Sequence, residues 1–456
     1  MLFAGDVMVA RGVAPALAGE GAALFDDVRF VISGADLAAA NLESGLAADP
    51  RSVAGEGEVL VGATSAAPAL AGAGFDVLSV ANNHAGDAGD GALAATVGAL
   101  ERSGIAPIGV LESGEPPAPT VVAVRGVRVA YLAFDLTKQG PAPTSRGSGV
   151  VTWDPEIASA AVVEARSVAD VVTVSLHGGA EYLPGPDPAL RSAAMLVADA
   201  GADVVWAHGS HLVYDVEIRR YGRVSVVAYG LGNFLFDQHR RGTTQGAIVE
   251  VLADERGVIG YRVGAVEHPA VWPRFIGWHQ PEGDAALFDG EWWQLTRPVA
   301  VATGAQPAGN IAERHGNDVE AVAAGDVTGD GRMEVVVAFR RPYELRPVHQ
   351  RFPDATWTDE QARTAHLGVY RPEDLGPIWV ASGLARPVAE VAVCGGTLAV
   401  SYGALRRGDP VASGAWTWRG RGFAVSADLP GPATPVCADA DGDGVLDPVL
   451  LRRPGG

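Results

Sequence analysis

At 456 residues the chain has room for two or three domains of roughly 100–200 residues each and is no single small module. Its 54 acidic and 34 basic side chains leave a formal charge of −20, which excludes a broad basic face for reading nucleic-acid phosphates, so no nucleic-acid partner is expected. With 48% hydrophobic and 19% charged residues it can bury sizeable cores. Its two cysteines, Cys394 and Cys437, allow at most one bridge and sit in no metal-type cluster.

Residues 1–4 read as a strand feeding a loop at Gly5-Asp6, with no basic or apolar leader ahead of it, so no signal peptide is expected within the chain. Further short β-rich runs follow at 36–40, 76–81, 128–134, 170–176, 202–207 and 224–229. The apolar stretch 59–75 is Ala/Gly-rich and short, so no transmembrane segment is expected. Helical periodicity appears at 91–102, where Leu93, Val97 and Leu100 share a face and Gly104 supplies a stop. It returns at 187–200, with Pro188 in the first turn. Alternating strands and helices predict an α/β domain over residues 1–280. Past this point helical periodicity gives way to Pro, Gly, Trp and short strands. Gly368-Val-Tyr-Arg, followed by Pro377-Ile-Trp-Val, is echoed about 46 residues later by Gly414-Ala-Trp-Thr, followed by Gly422-Phe-Ala-Val. That period suits a four-stranded propeller-type blade, so residues 281–456 are expected to form an all-β, propeller-blade-like domain. A third copy is expected near Glu291-Trp292-Trp293.

In the first domain six polar clusters each follow a strand: Asp6 with Arg11, Asn41 with Glu43, Asn82-Asn83-His84 with Asp87, His177 with Glu181, His208 with His211, and Asn233. In open α/β sheets ligands bind beyond the carboxyl ends of the strands, where such loops converge. Two carboxylates, amides and several imidazoles suit a borderline divalent ion such as Zn²⁺, Mn²⁺ or Fe²⁺, one or two in number. Each cluster also has a plainer reading. Asp6 and Asp87 can cap helices, the Asn82-Asn83-His84 run can be turn chemistry, and Glu181 can be a solvated acid. Arg11, Arg240 and Arg241 lie close in sequence to these loops, and Arg suits carboxylate or phosphate. Of the three, Arg11 is the one assigned to the catalytic set, with Arg240 and Arg241 left as surface residues.

Taken in order, GDVMVAR, NLE, NNHAGDAG, HGGAEY, HGSH and YGLGNFLFDQ resemble the bacterial capsule-synthesis CapA family, also called poly-γ-glutamate synthesis proteins, over residues 1 to about 275. The resemblance implies a calcineurin-like metallophosphoesterase fold, an α/β sandwich with a dinuclear site on its rim. It also implies a place in exported anionic-polymer metabolism, at the cell envelope or outside the cell. Position by position it implies Asp6, Glu43, Asn83, His177, His208 and His211 as metal ligands and His84 as general acid. Asn41, Asn82 and Asn233 stand behind the ligands, and Glu181 joins His84 and Arg11 in the catalytic set. Two departures stand out: Met8 occupies a position where metallophosphoesterases usually carry His, and His208-Gly209-Ser210-His211 lacks a middle imidazole found in many members.

In the tail, Asp326, Thr328, Asp330 and Glu334, and again Asp439, Asp441, Asp443 and Asp447, place oxygen side chains at positions 1, 3, 5 and 9 of a Gly-bearing loop. Oxygen-only ligation favours Ca²⁺. These loops resemble FG-GAP/VCBS repeats of extracellular proteins. Two functional expectations follow. One is a metal-dependent hydrolase acting on a phosphoester or a γ-glutamyl amide of a capsule polymer. The other is a non-catalytic component that binds or hands over an anionic polymer among envelope biosynthesis proteins.

Overall fold

The computed structural model describes residues 1–279 apart from 51–58, 90, 146 and 222. Beyond them it describes 285–288, 291–296, 319–342, 358–404 and 411–451, apart from 360, 362, 373, 375, 382–383, 385, 421 and 442–444. The chain divides into two compact units, Met1–His279 and Gln280–Gly456.

In the first unit the seven β-rich runs form strands Leu2–Val7, Ala38–Leu42, Val77–Ser79, Val127–Asp135, Val171–His177, Val204–His208 and Arg223–Ala228. They build two sheets. In one, Leu2–Val7, Ala38–Leu42, Val77–Ser79 and Ala106–Ile108 are parallel neighbours, and the hairpin Gln245–Asp254 with Gly257–Glu267 extends the other edge of Leu2–Val7 in antiparallel fashion. In the other, Val127–Asp135, Val171–His177, Val204–His208 and Arg223–Ala228 run parallel, flanked by antiparallel edges Thr120–Val124 and Val216–Tyr221.

The side-chain alternation of a strand explains how the layers assemble. Val129, Tyr131 and Ala133 join the buried cluster that contains Phe3 and Ala38 of the first sheet, whereas Ala130, Leu132 and Phe134 join a second cluster with Val162 and Val197. The sheets therefore pack face to face, with Phe3 against Trp206 at 5.5 Å between ring centroids. Helices Pro155–Val168 and Pro188–Ala200 cover the outer face of the second sheet. Both start the same way. Asp154 and Asp187 accept hydrogen bonds from the two free N–H groups of the first turn, and the following Pro fixes φ where no donor is needed. Gly201, at φ 118°, ends the second of them in a left-handed conformation that a side chain would disfavour. The architecture is an α/β sandwich with the carboxyl ends of both parallel sets at one rim.

Among the described residues the second unit contains two four-stranded antiparallel sheets, a further run of four antiparallel strands, and no helix. The two sheets are sequential, Val319–Gly325 to Pro377–Val380 and Val388–Cys394 to Phe423–Pro430. The two copies of the sequence repeat hold equivalent places: Gly368 and Gly414 lie in third strands, and the segments after Pro377 and Gly422 form fourth strands. The further run joins Thr434–Ala438, Asp447–Leu451, Ala285–Phe288 and Glu291–Leu295, so the last hairpin pairs with the first. A Cys394–Cys437 disulfide ties this run to the neighbouring sheet.

Candidate metal centre

The strand-end clusters meet because their strands are register partners. Asp6 lies opposite Asn41 on one side and Asn233 on the other, and His177 lies opposite His208. All of these side chains are buried. Asn41 Nδ2 donates to Asp6 Oδ1 (2.8 Å), and the Gly209 N–H donates to Asp6 Oδ2 (3.0 Å). His208 Nδ1 stands 3.6 Å from Asp6 Oδ1, and His211 Nδ1 stands 3.5 Å from Asp6 Oδ2. Asp6 thus belongs to two groups whose ligand atoms lie within 4.8 Å of one another, Asp6/His177/His208 and Asp6/Glu43/His211. A carboxylate shared between two ligand groups is the arrangement a pair of neighbouring cations needs.

The surrounding amides hold these ligands in place. Asn82 Nδ2 donates to Asn41 Oδ1 (3.0 Å) and to the Leu42 carbonyl (2.9 Å), so Asn82, Asn41 and Asp6 form one chain. Asn83 Oδ1 lies 2.8 Å from His177 Nε2, Ser175 Oγ 2.7 Å from His208 Nε2, and Asn233 Oδ1 3.0 Å from His211 Nδ1. Each such bond fixes a ring orientation, as the outer partners of metal-binding histidines do. The expected ligand set and its three amide supports are therefore brought together.

Electrostatics make the same region costly without a cation. Burial raises the Asp6 carboxyl, but a hydrogen bond from His211 and the charges of His208 and His177 outweigh it and hold Asp6 below the usual carboxylate range. Glu43 goes the other way: burial first, and the adjacent Asp6 next, push it well above its ordinary value. Glu43 Oε2 is buried with no hydrogen-bond partner. Burial also lowers His177 to about 4 and His208 to about 3, against the pull of Asp6. His211 is lifted to about 10, since Glu43 and Asp6 overcome its burial. An unpartnered buried carboxylate oxygen on Glu43, in one cluster with His177 and His208 held neutral, is a donor set matched to a borderline divalent ion.

His84 sits beside this cluster, with Nε2 3.8 Å from Glu43 Oε1 and Nδ1 2.8 Å from Asp87 Oδ2. Asp87, read from sequence as a helix cap, has another job. It also accepts from the Leu60 N–H (2.6 Å), and the next helix starts after Gly91 instead. Asp6 likewise caps nothing; the helix after it begins behind Gly12 with no side-chain cap. Glu181 is exposed at the rim, close enough for its charge to act on Glu43. The Arg11 guanidinium pairs with Asp237 and lies 5.6 Å from the centre of the Phe236 ring. Met8 is fully buried, with its sulfur accepting from the Ala10 N–H (2.9 Å).

Sequence reasoning passed over Tyr182, Asp237 and Gln238. All three lie inside quoted segments, HGGAEY and YGLGNFLFDQ, but their partners are remote in the chain. Tyr182 stacks on His211 at 5.7 Å, and Gln238 Nε2 donates to its phenol oxygen (3.1 Å).

In the second unit, Asp326, Asp330 and Glu334 bring their carboxylate oxygens within 4.8 Å of one another. The Thr328 hydroxyl donates to Glu334 Oε1 (3.3 Å), and the Val327 N–H donates to Glu334 Oε2 (2.9 Å). The other loop repeats the last contact, with the Ala440 N–H donating to Asp447 Oδ2 (3.1 Å). Asp439 and Asp441 belong to that loop, and Asp443 lies outside the described residues.

Residues 1–238 match the model of a family described as bacterial capsule synthesis protein PGA_cap. The PGA biosynthesis protein CapA of Bacillus subtilis is 30% identical over 270 residues, which cover 58% of this chain and 70% of that protein. The capsule biosynthesis protein CapA of Bacillus anthracis is 32% identical over 191 residues, 41% of this chain and 46% of that one. Among solved structures, a 5'-nucleotidase precursor from Thermus thermophilus aligns at a TM-score of 0.37 and 17% identity over 54% of this chain and 48% of its own, a likeness too slight to assign chemistry.

Proposed function

Because the chain belongs to the bacterial capsule synthesis family PGA_cap, we propose that its first unit is a metal-dependent, metallophosphoesterase-like hydrolase of capsule or poly-γ-glutamate-type polymer biosynthesis. The reaction would cleave a phosphoester or a γ-glutamyl amide. The observation that carries this reading is the sharing of Asp6 between two ligand groups. Asp6, His177 and His208 would hold one divalent ion and Asp6, Glu43 and His211 a second, with Asn83 adding an amide oxygen. Such ions supply Lewis acidity and a water of lowered pKa at neutral pH. The chain's own groups do the rest. Asp87 holds His84 Nδ1, which leaves Nε2 on the side of Glu43 and able to hand a proton to a leaving atom. Tyr182, stacked on His211, shields that imidazole from water.

One observation favours a second reading, a polymer-binding or assembly component without turnover. Met8 and Arg11 are both spent on structural contacts, which leaves the site short of one imidazole and one guanidinium. The second unit suits either role. Its four-stranded sheets support propeller-type blades, and Asp326, Thr328, Asp330 and Glu334, with Asp439, Asp441, Asp443 and Asp447, support calcium loops between strands. The Cys394–Cys437 disulfide accords with an oxidising compartment such as the envelope or exterior. No helix among the described residues is long and apolar enough to cross a membrane.

The test is turnover by the full chain loaded with Mn²⁺ or Zn²⁺, offered p-nitrophenyl phosphate and γ-linked glutamate oligomers. The hydrolase reading expects one of them to be cleaved, with His84→Ala lowering kcat by about 10²–10⁴-fold while the metal stays bound. Full metal content with neither substrate cleaved would favour the polymer-binding reading.

A further inference from the structure

Arg240, like Arg241 and unlike Arg11 and Arg191, has no carboxylate partner among the described residues; its contact with Tyr182 sets it apart. Arg11 is neutralised by Asp237, and Arg191 pairs with Glu217 at 3.3 Å. The Arg240 guanidinium instead lies 4.3 Å from the centre of the Tyr182 ring. Tyr182 in turn stacks on His211, with ring planes 30° apart. Arg240, Tyr182 and His211 thus form one column that ends at a ligand of the proposed metal centre.

The column is fixed at every level. The Arg240 carbonyl accepts from both the N–H (3.0 Å) and the hydroxyl (2.9 Å) of Thr243, which is fully buried. The Tyr182 phenol oxygen accepts from Gln238 Nε2, whose own Oε1 accepts from Asn233 Nδ2 at 3.1 Å, and Asn233 Oδ1 contacts His211. Tyr182 and His211 both adopt left-handed backbone conformations, at φ 62° and 61°. A bulky side chain held there is strained, and such strain persists where the surroundings over-determine it. The Tyr182 N–H donating to the Ser210 carbonyl (3.1 Å) is one of the bonds that hold it.

A guanidinium held over a ring face without a carboxylate partner keeps N–H groups free, and their fork matches the two oxygens of a carboxylate or phosphate. In a chain of net charge −20, a guanidinium with no ion-pair partner, set over Tyr182 in contact with His211, is where an anion is tolerated. Resting on the hydrolase reading above, we infer that Arg240, presented by Tyr182, anchors an oxyanion of the substrate beside the metal centre and sets its specificity for anionic material.

The experiment is equilibrium binding to the full Mn²⁺-loaded chain of two probes, a fluorescent γ-linked glutamate oligomer and inorganic phosphate, with metal content measured in parallel. Arg240→Ala is expected to weaken the recognised probe by about 10-fold with metal content unchanged, and Arg240→Lys to recover only part of the loss. The probe that responds identifies the oxyanion as carboxylate or phosphate. Tyr182→Leu is expected to weaken binding as Arg240→Ala does, whereas Tyr182→Phe, which keeps the ring, is expected to retain most of it. Arg241→Ala serves as the charge control and should change binding less than twofold. Equal losses for Arg240→Ala and Arg241→Ala would overturn the inference in favour of general surface charge. So would unchanged binding in Arg240→Ala. If the wild-type chain holds metal but binds neither probe, the substrate class itself is wrong and the role of Arg240 falls with it.

Discussion

His177 and His208 show what individual residues contribute to the site. Burial holds them at about 4 and about 3, whereas an unfolded chain would protonate them at about 6.5. Between those values the unfolded state binds more protons, so the metal-free protein should lose stability as pH falls from about 6.5 toward 4. His211, raised to about 10, stays charged in the folded chain but is only half charged unfolded at about 6.5, and Glu43 is raised in the folded chain. Both oppose this slope near the top of the window, so the loss shows toward its lower end. Thermal unfolding of the chelator-treated chain between pH 7 and 4 checks this; a midpoint flat over that range would contradict the buried, neutral assignment. At this scale much was legible: Asp6, Glu43, Asn83, His177, His208 and His211 all stand out as polar residues directly after apolar strands. The pairing of Arg11 with Asp237 was not legible, because the two lie 226 residues apart and nothing local announces the pair. The contact of Arg240 with Tyr182 was hidden for the same reason, since only the fold brings the two together.

Elements were legible where the apolar pattern was strong. The buried parallel strands are short apolar runs, and the fold buries every residue of Val171–His177 and Val204–His208. The edge strands Thr120–Val124 and Val216–Tyr221 were missed, since half-exposed edges carry a weaker signal, and the hairpin Gln245–Asp254 with Gly257–Glu267 went unassigned. Asp187 shows how an element serves the site. One of its oxygens caps helix Pro188–Ala200 through the Ala189 and Leu190 N–H groups, and the other accepts from the Ala180 N–H (2.6 Å), tying down the loop that carries Glu181 and Tyr182. Asp187→Ala should therefore cost about 1 kcal/mol of stability through the lost cap, measurable by denaturant unfolding. The same variant should weaken oligomer binding. A stability loss with binding intact would show that the tether does not position Tyr182.

For the whole molecule, the two units answer to different stabilising devices. The first buries large cores between stacked sheets, and the second consists of smaller sheets, joined in part by the Cys394–Cys437 disulfide across a separation of 43 residues. Cys394→Ser with Cys437→Ser, or reduction, is expected to destabilise the second unit by about 2–4 kcal/mol, read as a lowered unfolding midpoint. An unchanged midpoint would mean that the hairpin pairing alone secures those strands. The period of about 46 residues was visible in sequence because Gly and Trp recur at equivalent strands. The pairing of the last hairpin with the first was not, because it joins residues about 165 positions apart, such as Ala285 and Leu450.

The central claim is that Asp6 joins two cation sites in the first unit, and elemental analysis of the full chain purified with Mn²⁺ or Zn²⁺ tests it most directly. The account predicts about two transition ions per chain, lost in Asp6→Asn and retained in Arg11→Ala. A wild-type chain that carries no transition metal, or an Asp6→Asn variant that keeps its full complement, would contradict it.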